Sequence, residues 1–205
     1  MKKECTKQAA VWKTLLYSKL LQGKNRNHKI AYIAVITALL VVTNMFFEFK
    51  FMDVQFSLTI AMSALSGLLI GPLFGFIACF LGDLVGFLYN SGGYTYMPWV
   101  GLSLSLTAAF SGLVFNAFES EKRGIFFLKA SIVCLLSLLC CTIGVNTTAF
   151  WLLYSPKTPY MTYLIARLFA KGQIFNCLFN YALIFVGAPA LTKLLRRRNN
   201  ADNGV

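Results

Sequence analysis

Asp83 and Arg167 are the residues of this chain best placed to do chemistry, because each is an ionisable group set in a long apolar stretch. Asp83 is the one carboxylate between Val54 and Asn116. Burying such a group costs several kcal/mol unless something binds it, so it marks a candidate functional site. A carboxylate accepts hydrogen bonds from a ligand's N–H or O–H groups, and a guanidinium donates to carboxylates and phosphates. Lys171 follows Arg167 by one helical turn, which places both cations on one face of a continuous helix. That pair suits an anionic ligand better than a neutral one. Asp83 stands six residues before the end of its apolar run, about 9 Å deep at 1.5 Å per residue, and Arg167 stands seven residues into its own, about 10 Å deep. Two readings share these depths: an ion pair that neutralises itself inside the protein, or two walls of a cavity that holds a polar ligand.

Aromatic and amide residues gather near the same level. Tyr89, Asn90, Tyr94, Tyr96 and Trp99 surround one loop, and Asn146, Trp151 and Tyr154 close a later apolar run. Tyr and Trp collect at membrane interfaces, which accounts for several of them. A planar heteroaromatic ligand would use the same residues, by stacking and by edge hydrogen bonds. Gly92-Gly93 would let the loop fold over a cavity as a lid. Enzyme chemistry is not expected. No G-x-x-x-x-G-K-[ST] loop exists to cradle a nucleotide. No second intramembrane carboxylate or histidine joins Asp83 for proton transfer. His28 is the only histidine, and no CxxC spacing appears, so neither a metal nor another cofactor is expected. Cys79, Cys134, Cys140, Cys141 and Cys177 lie in apolar runs as small hydrophobes rather than as a disulfide framework.

The elements that must position these residues are transmembrane helices. The chain has 205 residues, 58% of them hydrophobic and 13% charged, too apolar for a soluble domain. Its net charge of +12 is clustered rather than spread: eight of the 19 basic residues precede Ala31, and Lys193, Arg196, Arg197 and Arg198 lie near the end. Cytoplasmic segments of membrane proteins carry that signature, and it disfavours nucleic acid as the partner. Six spans follow, near 30–47, 56–70, 73–89, 97–118, 125–154 and 160–195, each able to cross about 30 Å of hydrocarbon. The fold class expected is an all-α six-helix membrane bundle with both termini cytoplasmic. Its parts are a basic tail (1–29), a transmembrane substrate-binding domain (30–195) and a short tail (196–205). No small-residue cleavage site follows the first apolar run, which argues against a removed signal peptide. In the first span Ala34-Val-Ile-Thr-Ala38, extended by Ala31, forms a small-residue stripe that lets another helix approach closely.

Three stretches resemble the S component, the substrate-binding subunit, of an energy-coupling factor (ECF) vitamin transporter. They are AVITA in the first span, SGLLIGPLFGFIACFLGDLVGFL with the following PWVGLSLSLTAAFSGLVFN, and NTTAFWLLY with the later ARLFAKGQ. The second and third look most like the folate-specific branch, although QFSLTIAM lacks that branch's proline and PWVGLS stands where PGFTLS is usual. The resemblance implies a six-helix bundle in the plasma membrane of a bacterium, with a vitamin pocket near the outer face. It implies that Asp83, Tyr89, Tyr94, Tyr96, Trp99, Asn146, Trp151, Arg167 and Lys171 form the substrate site, with folate the leading ligand. Pantothenate, riboflavin and a queuosine precursor fit the bulk features too, and a stand-alone secondary transporter is the reading from another class. The partners implied are a transmembrane coupling subunit, docked on Ala31, Ala34 and Ala38, and two cytosolic ATPases.

Overall fold

The computed structural model describes residues 16–22, 24–51, 54–89, 95–117 and 123–202. A short helix α1 (Lys19–Gln22) precedes the first span, α2 (Arg26–Phe46). Strands β1 (Glu48–Phe51) and β2 (Val54–Ser57) follow, then α3 (Thr59–Ile70), α4 (Pro72–Tyr89) and α5 (Pro98–Ala117). One helical run then covers α6 (Arg123–Leu136), a π-helical segment Ser137–Thr147 and α7 (Thr148–Tyr154). The last part is α8 (Tyr160–Ile165), a second π-helical segment Ala166–Ala170 and α9 (Gln173–Asp202).

Among the described residues, five helical stretches are long and apolar enough to cross a membrane: Arg26–Phe46, Pro72–Tyr89, Pro98–Asn116, Gly124–Tyr154 and Gln173–Lys193. Helix α3 is the short sixth. Its 12 residues rise about 18 Å, less than a bilayer's hydrocarbon thickness. Protein rather than lipid surrounds it, since Ile60, Ala61, Ser63, Ala64, Ser66, Gly67, Leu68 and Ile70 are all buried. Close crossing of small residues makes that burial possible. A Cβ on Gly67 would run into the Ala108 carbonyl of α5, and Ser111 Oγ donates to Ala64 O at 2.6 Å. The turn into α4 needs glycine twice over. Gly71 has φ of +108°, and a Cβ there would meet the Ser18 nitrogen at 2.5 Å. Pro72 then starts α4 where its missing N–H is harmless.

Four features depart from the expected plan. Phe56 belongs to an antiparallel hairpin pairing Glu48 with Ser57, not to the second span, because Thr59 is where the helix begins. The hairpin satisfies its own backbone groups at the end of the bundle, which an unpaired connection there could not do. The stretch read as a basic tail is docked from Tyr17 to Leu21: Tyr17 stacks on Phe74 at 4.9 Å, Ser18 N donates to Ile70 O, and Leu21 is buried. The expected sixth span is two pieces, since the chain turns at Lys171-Gly172, where Gly172 has φ of +66°. Only α9 is the span, and Tyr160–Ala170 is an arm before it. The fifth span changes pitch in its middle, where Thr147 Oγ1 reaches back five residues to Thr142 O at 2.8 Å.

Candidate functional site

A cavity of about 420 Å³ opens at one end of the bundle, within the size range of small-molecule sites. The ends of nearly every long element contribute to it. Asn44 comes from the end of α2, Ser57 from β2, and Thr59 and Ile60 from the start of α3. Asp83, Gly86 and Phe87 come from α4, and Thr95, Tyr96 and Met97 from the approach to α5. Val100, Ser103, Leu104 and Thr107 line it from α5 itself. The first π segment adds Ser137, Thr142 and Asn146, the second adds Arg167, Phe150 comes from α7, and Gln173 and Asn176 come from α9. Both π-helical segments therefore face the cavity, in keeping with the tendency of such irregularities to sit at functional sites. Lys24, Arg26 and Lys29 lie at the opposite end of α2, and Lys193 lies twenty residues along α9 from Gln173. Basic residues gathered at that far end are what the positive-inside rule associates with a cytoplasmic side.

The carboxylate of Asp83 is held rather than loose. Asn44 Nδ2 donates to Asp83 Oδ1 at 3.3 Å and to its backbone oxygen at 3.3 Å. Tyr96 Oη donates to Asp83 Oδ2 at 3.1 Å. Burial, then the charge of Asp83 and the hydrogen bond to it, push the Tyr96 phenol up to about 12, so it stays a donor at physiological pH. The carboxylate thus accepts from a side chain on α2 and from one on the approach to α5, at the wall of the cavity. Close approach of α4 and α5 at Gly101 permits the arrangement, since a Cβ there would stand 2.7 Å from Asp83 Oδ2.

Arg167 lies with its guanidinium over the Phe150 ring, 4.2 Å from the centroid. Its Nε is buried without a hydrogen-bond partner, and no ion pair joins it to Asp83 among the described residues. The self-neutralising pair is thus not formed, although both residues line one cavity. Asn146 Oδ1 is also buried and unpartnered. An unmatched buried donor or acceptor costs on the order of 1–3 kcal/mol. Arg167 and Asn146 together make the cavity a place where a ligand's polar groups would be welcomed.

Of the residues expected at the site, Asp83, Tyr96, Asn146 and Arg167 line the cavity. Trp99 stands one layer behind, edge-on to Phe150 at 5.7 Å. Tyr89 is exposed at the bundle surface beside Phe46. Trp151 is engaged elsewhere, with Nε1 donating to Thr158 O at 2.7 Å and its ring edge-on to Tyr160. Lys171 is exposed at the turn before Gly172, just past the segment that carries Arg167, and is not among the residues lining the cavity. Tyr94 and the Gly92-Gly93 loop lie outside the described residues. Sequence reasoning missed Asn44, Gln173 and Asn176 and the hydroxyls of Ser57, Thr59, Ser103, Thr107, Ser137 and Thr142. The signal for the α9 group was present: Gln173, Asn176 and Asn180 recur at helical spacing in an otherwise apolar run.

Comparison with known proteins agrees with this architecture. No curated protein sequence gives a significant match. Among solved structures, a match with a TM-score of 0.60 and 21% identity is a crystal structure of FolT bound with folic acid, covering 76% of this chain and 88% of that one. At that identity the likeness concerns the fold. The family model for the ECF-type riboflavin transporter S component matches residues 24–197. The chain belongs to this family of membrane-embedded S components.

Proposed function

We propose that this protein captures a vitamin at the outer face of the bacterial plasma membrane and hands it inward through an ECF module. One observation carries the reading: a 420 Å³ cavity holds a positioned carboxylate, an arginine with no ion-pair partner among the described residues, and an unmatched amide oxygen. A ligand with ring N–H donors and a carboxylate matches all three. Folate is the leading candidate, its pterin donating to Asp83 or Asn146 and its glutamate tail meeting Arg167. Riboflavin is the second reading, favoured by the description of the matching family, with its ring imide and ribityl hydroxyls meeting the amides and hydroxyls of the wall.

Transport in this reading needs a transmembrane coupling subunit and two ATPases. The exposed positions Ala31, Ala34 and Ala38 of α2 offer the docking stripe. The direct test is mass spectrometry of small molecules that copurify with the detergent-solubilised protein, backed by tryptophan fluorescence during titration with folic acid and with riboflavin. Trp99 lies against the cavity residue Phe150, so saturable quenching is expected. Arg167→Ala separates the two vitamins. It should weaken folic acid by about 2–5 kcal/mol, the cost of losing a buried charged contact, and weaken neutral riboflavin far less. Equal affinities for folic acid in the folded variant and the parent would remove Arg167 from the carboxylate site.

A further inference from the structure

Asn176 is 5% exposed, yet it lines the cavity from the first turn of α9. Its orientation follows from its neighbours. The Ser57 backbone N–H, which can only donate, lies 3.0 Å from Asn176 Oδ1, so that atom is the amide oxygen. Asn180 Nδ2 donates to the same oxygen at 3.0 Å. The identity of that second donor is fixed too, because Asn180 Oδ1 accepts from the Ala61 backbone N–H at 2.9 Å. Asn180 is fully buried, and its Nδ2 also donates to Ser57 O and Asn176 O. Two backbone donors, on β2 and α3, thus lock a pair of amides on α9.

Asn176 Oδ1 is held by the Ser57 N–H and by a share of the two Asn180 Nδ2 hydrogens, which also serve Ser57 O and Asn176 O. What remains is Asn176 Nδ2, which has no acceptor among the described residues. We infer that Asn176 is a specificity-determining residue of the cavity: it presents an amide donor that cannot be turned over, and it selects ligands carrying a carbonyl or ring-nitrogen acceptor at that place. The assignment rests on the vitamin-binding reading and deepens it. A ligand edge bearing a donor there would meet N–H against N–H, and rotating the amide to accommodate it would break the bonds to Ser57 and Asn180. Asn180 acts through Asn176 and Ser57 and is a positioning residue.

Asn176→Asp is the discriminating variant. It keeps an oxygen for Ser57 and Asn180 but turns the remaining donor into an acceptor. Full-length protein in detergent, titrated with folic acid and with riboflavin, should lose at least about tenfold in affinity for the vitamin it binds, with its ligand-free melting temperature little changed. Asn176→Ala removes the donor without adding charge. It should show the same direction of loss and serves if the aspartate variant does not fold. Asn180→Ala should lower the melting temperature in the absence of ligand. Wild-type binding that Asn176→Asp leaves unchanged overturns the donor assignment alone. A wild type that takes up neither vitamin overturns the vitamin reading, and this assignment with it.

Discussion

Gly101 decides where the carboxylate of Asp83 can stand. A Cβ added there would lie 2.7 Å from Asp83 Oδ2 and 2.8 Å from Tyr96 Oη, and both atoms are the far ends of side chains. The backbone of α5 can therefore keep its path while the two polar groups are driven aside. Gly101→Ala should fold normally and melt close to the parent, yet bind its vitamin at least about tenfold more weakly, as expected when a charged hydrogen bond is misplaced. Calorimetric titration beside a thermal melt reads both quantities. A variant that binds as tightly as the parent would show that Asp83 does not need its present position. Arg167 differs in kind, because what holds it among the described residues is the face of Phe150. A cation–π contact of this sort leaves the N–H groups of the guanidinium available to a ligand carboxylate.

At the scale of elements, the two π-helical segments and the turn at Gly172 set how the cavity wall is built. The arm Tyr160–Ala170 carries Arg167, and α9 carries Gln173 and Asn176, so the turn fixes the angle between two sets of cavity residues. Gly172, at φ of +66°, is the hinge of that angle. Gly172→Val should cost on the order of 1–2 kcal/mol and weaken ligand binding, whereas Gly172→Asn, which tolerates the left-handed region, should lose much less. Equal melting temperatures for the two variants would remove backbone strain as the cause. The sequence marked this turn only indirectly. The run 160–195 is too long for one span, and its first part, Tyr160–Ala170, is the arm. Asp83 and Arg167 stood out in the sequence because a charge in an apolar run is costly and therefore rare. Asn44 and Asn176 did not, since an amide near a helix end looks like ordinary interface. Nothing local in SLLCCTIGVNT separates π from α helix, because the two differ by one residue in hydrogen-bond spacing and not by residue type. The hairpin escaped for a related reason: FKF and VQFS continue the apolar character of the spans around them.

At the scale of the whole molecule, the spans are unequally covered. Only 17% of the apolar window of α2 is buried, against 28–44% in the other four long spans. Its exposed positions mix large residues such as Val35, Leu39 and Val42 with Ala31, Ala34 and Ala38. Lipid chains solvate large and small side chains alike, so lipid contact gives no reason to gather alanines along one stripe. Close approach of a second helix does give such a reason. In the proposed transport cycle that helix belongs to the coupling subunit. The cavity draws on α2 only at Asn44, well along the helix from the stripe. Docking and vitamin capture are therefore separable by mutation. Ala34→Leu combined with Ala38→Leu keeps the surface apolar and should leave both the melting temperature and the vitamin affinity of the isolated protein unchanged. The same pair should sharply reduce copurification of the coupling subunit and cut vitamin uptake in cells. Uptake at the parental rate would place the docking surface elsewhere, and a loss of vitamin affinity in detergent would mean that α2 shapes the cavity along more of its length than Asn44.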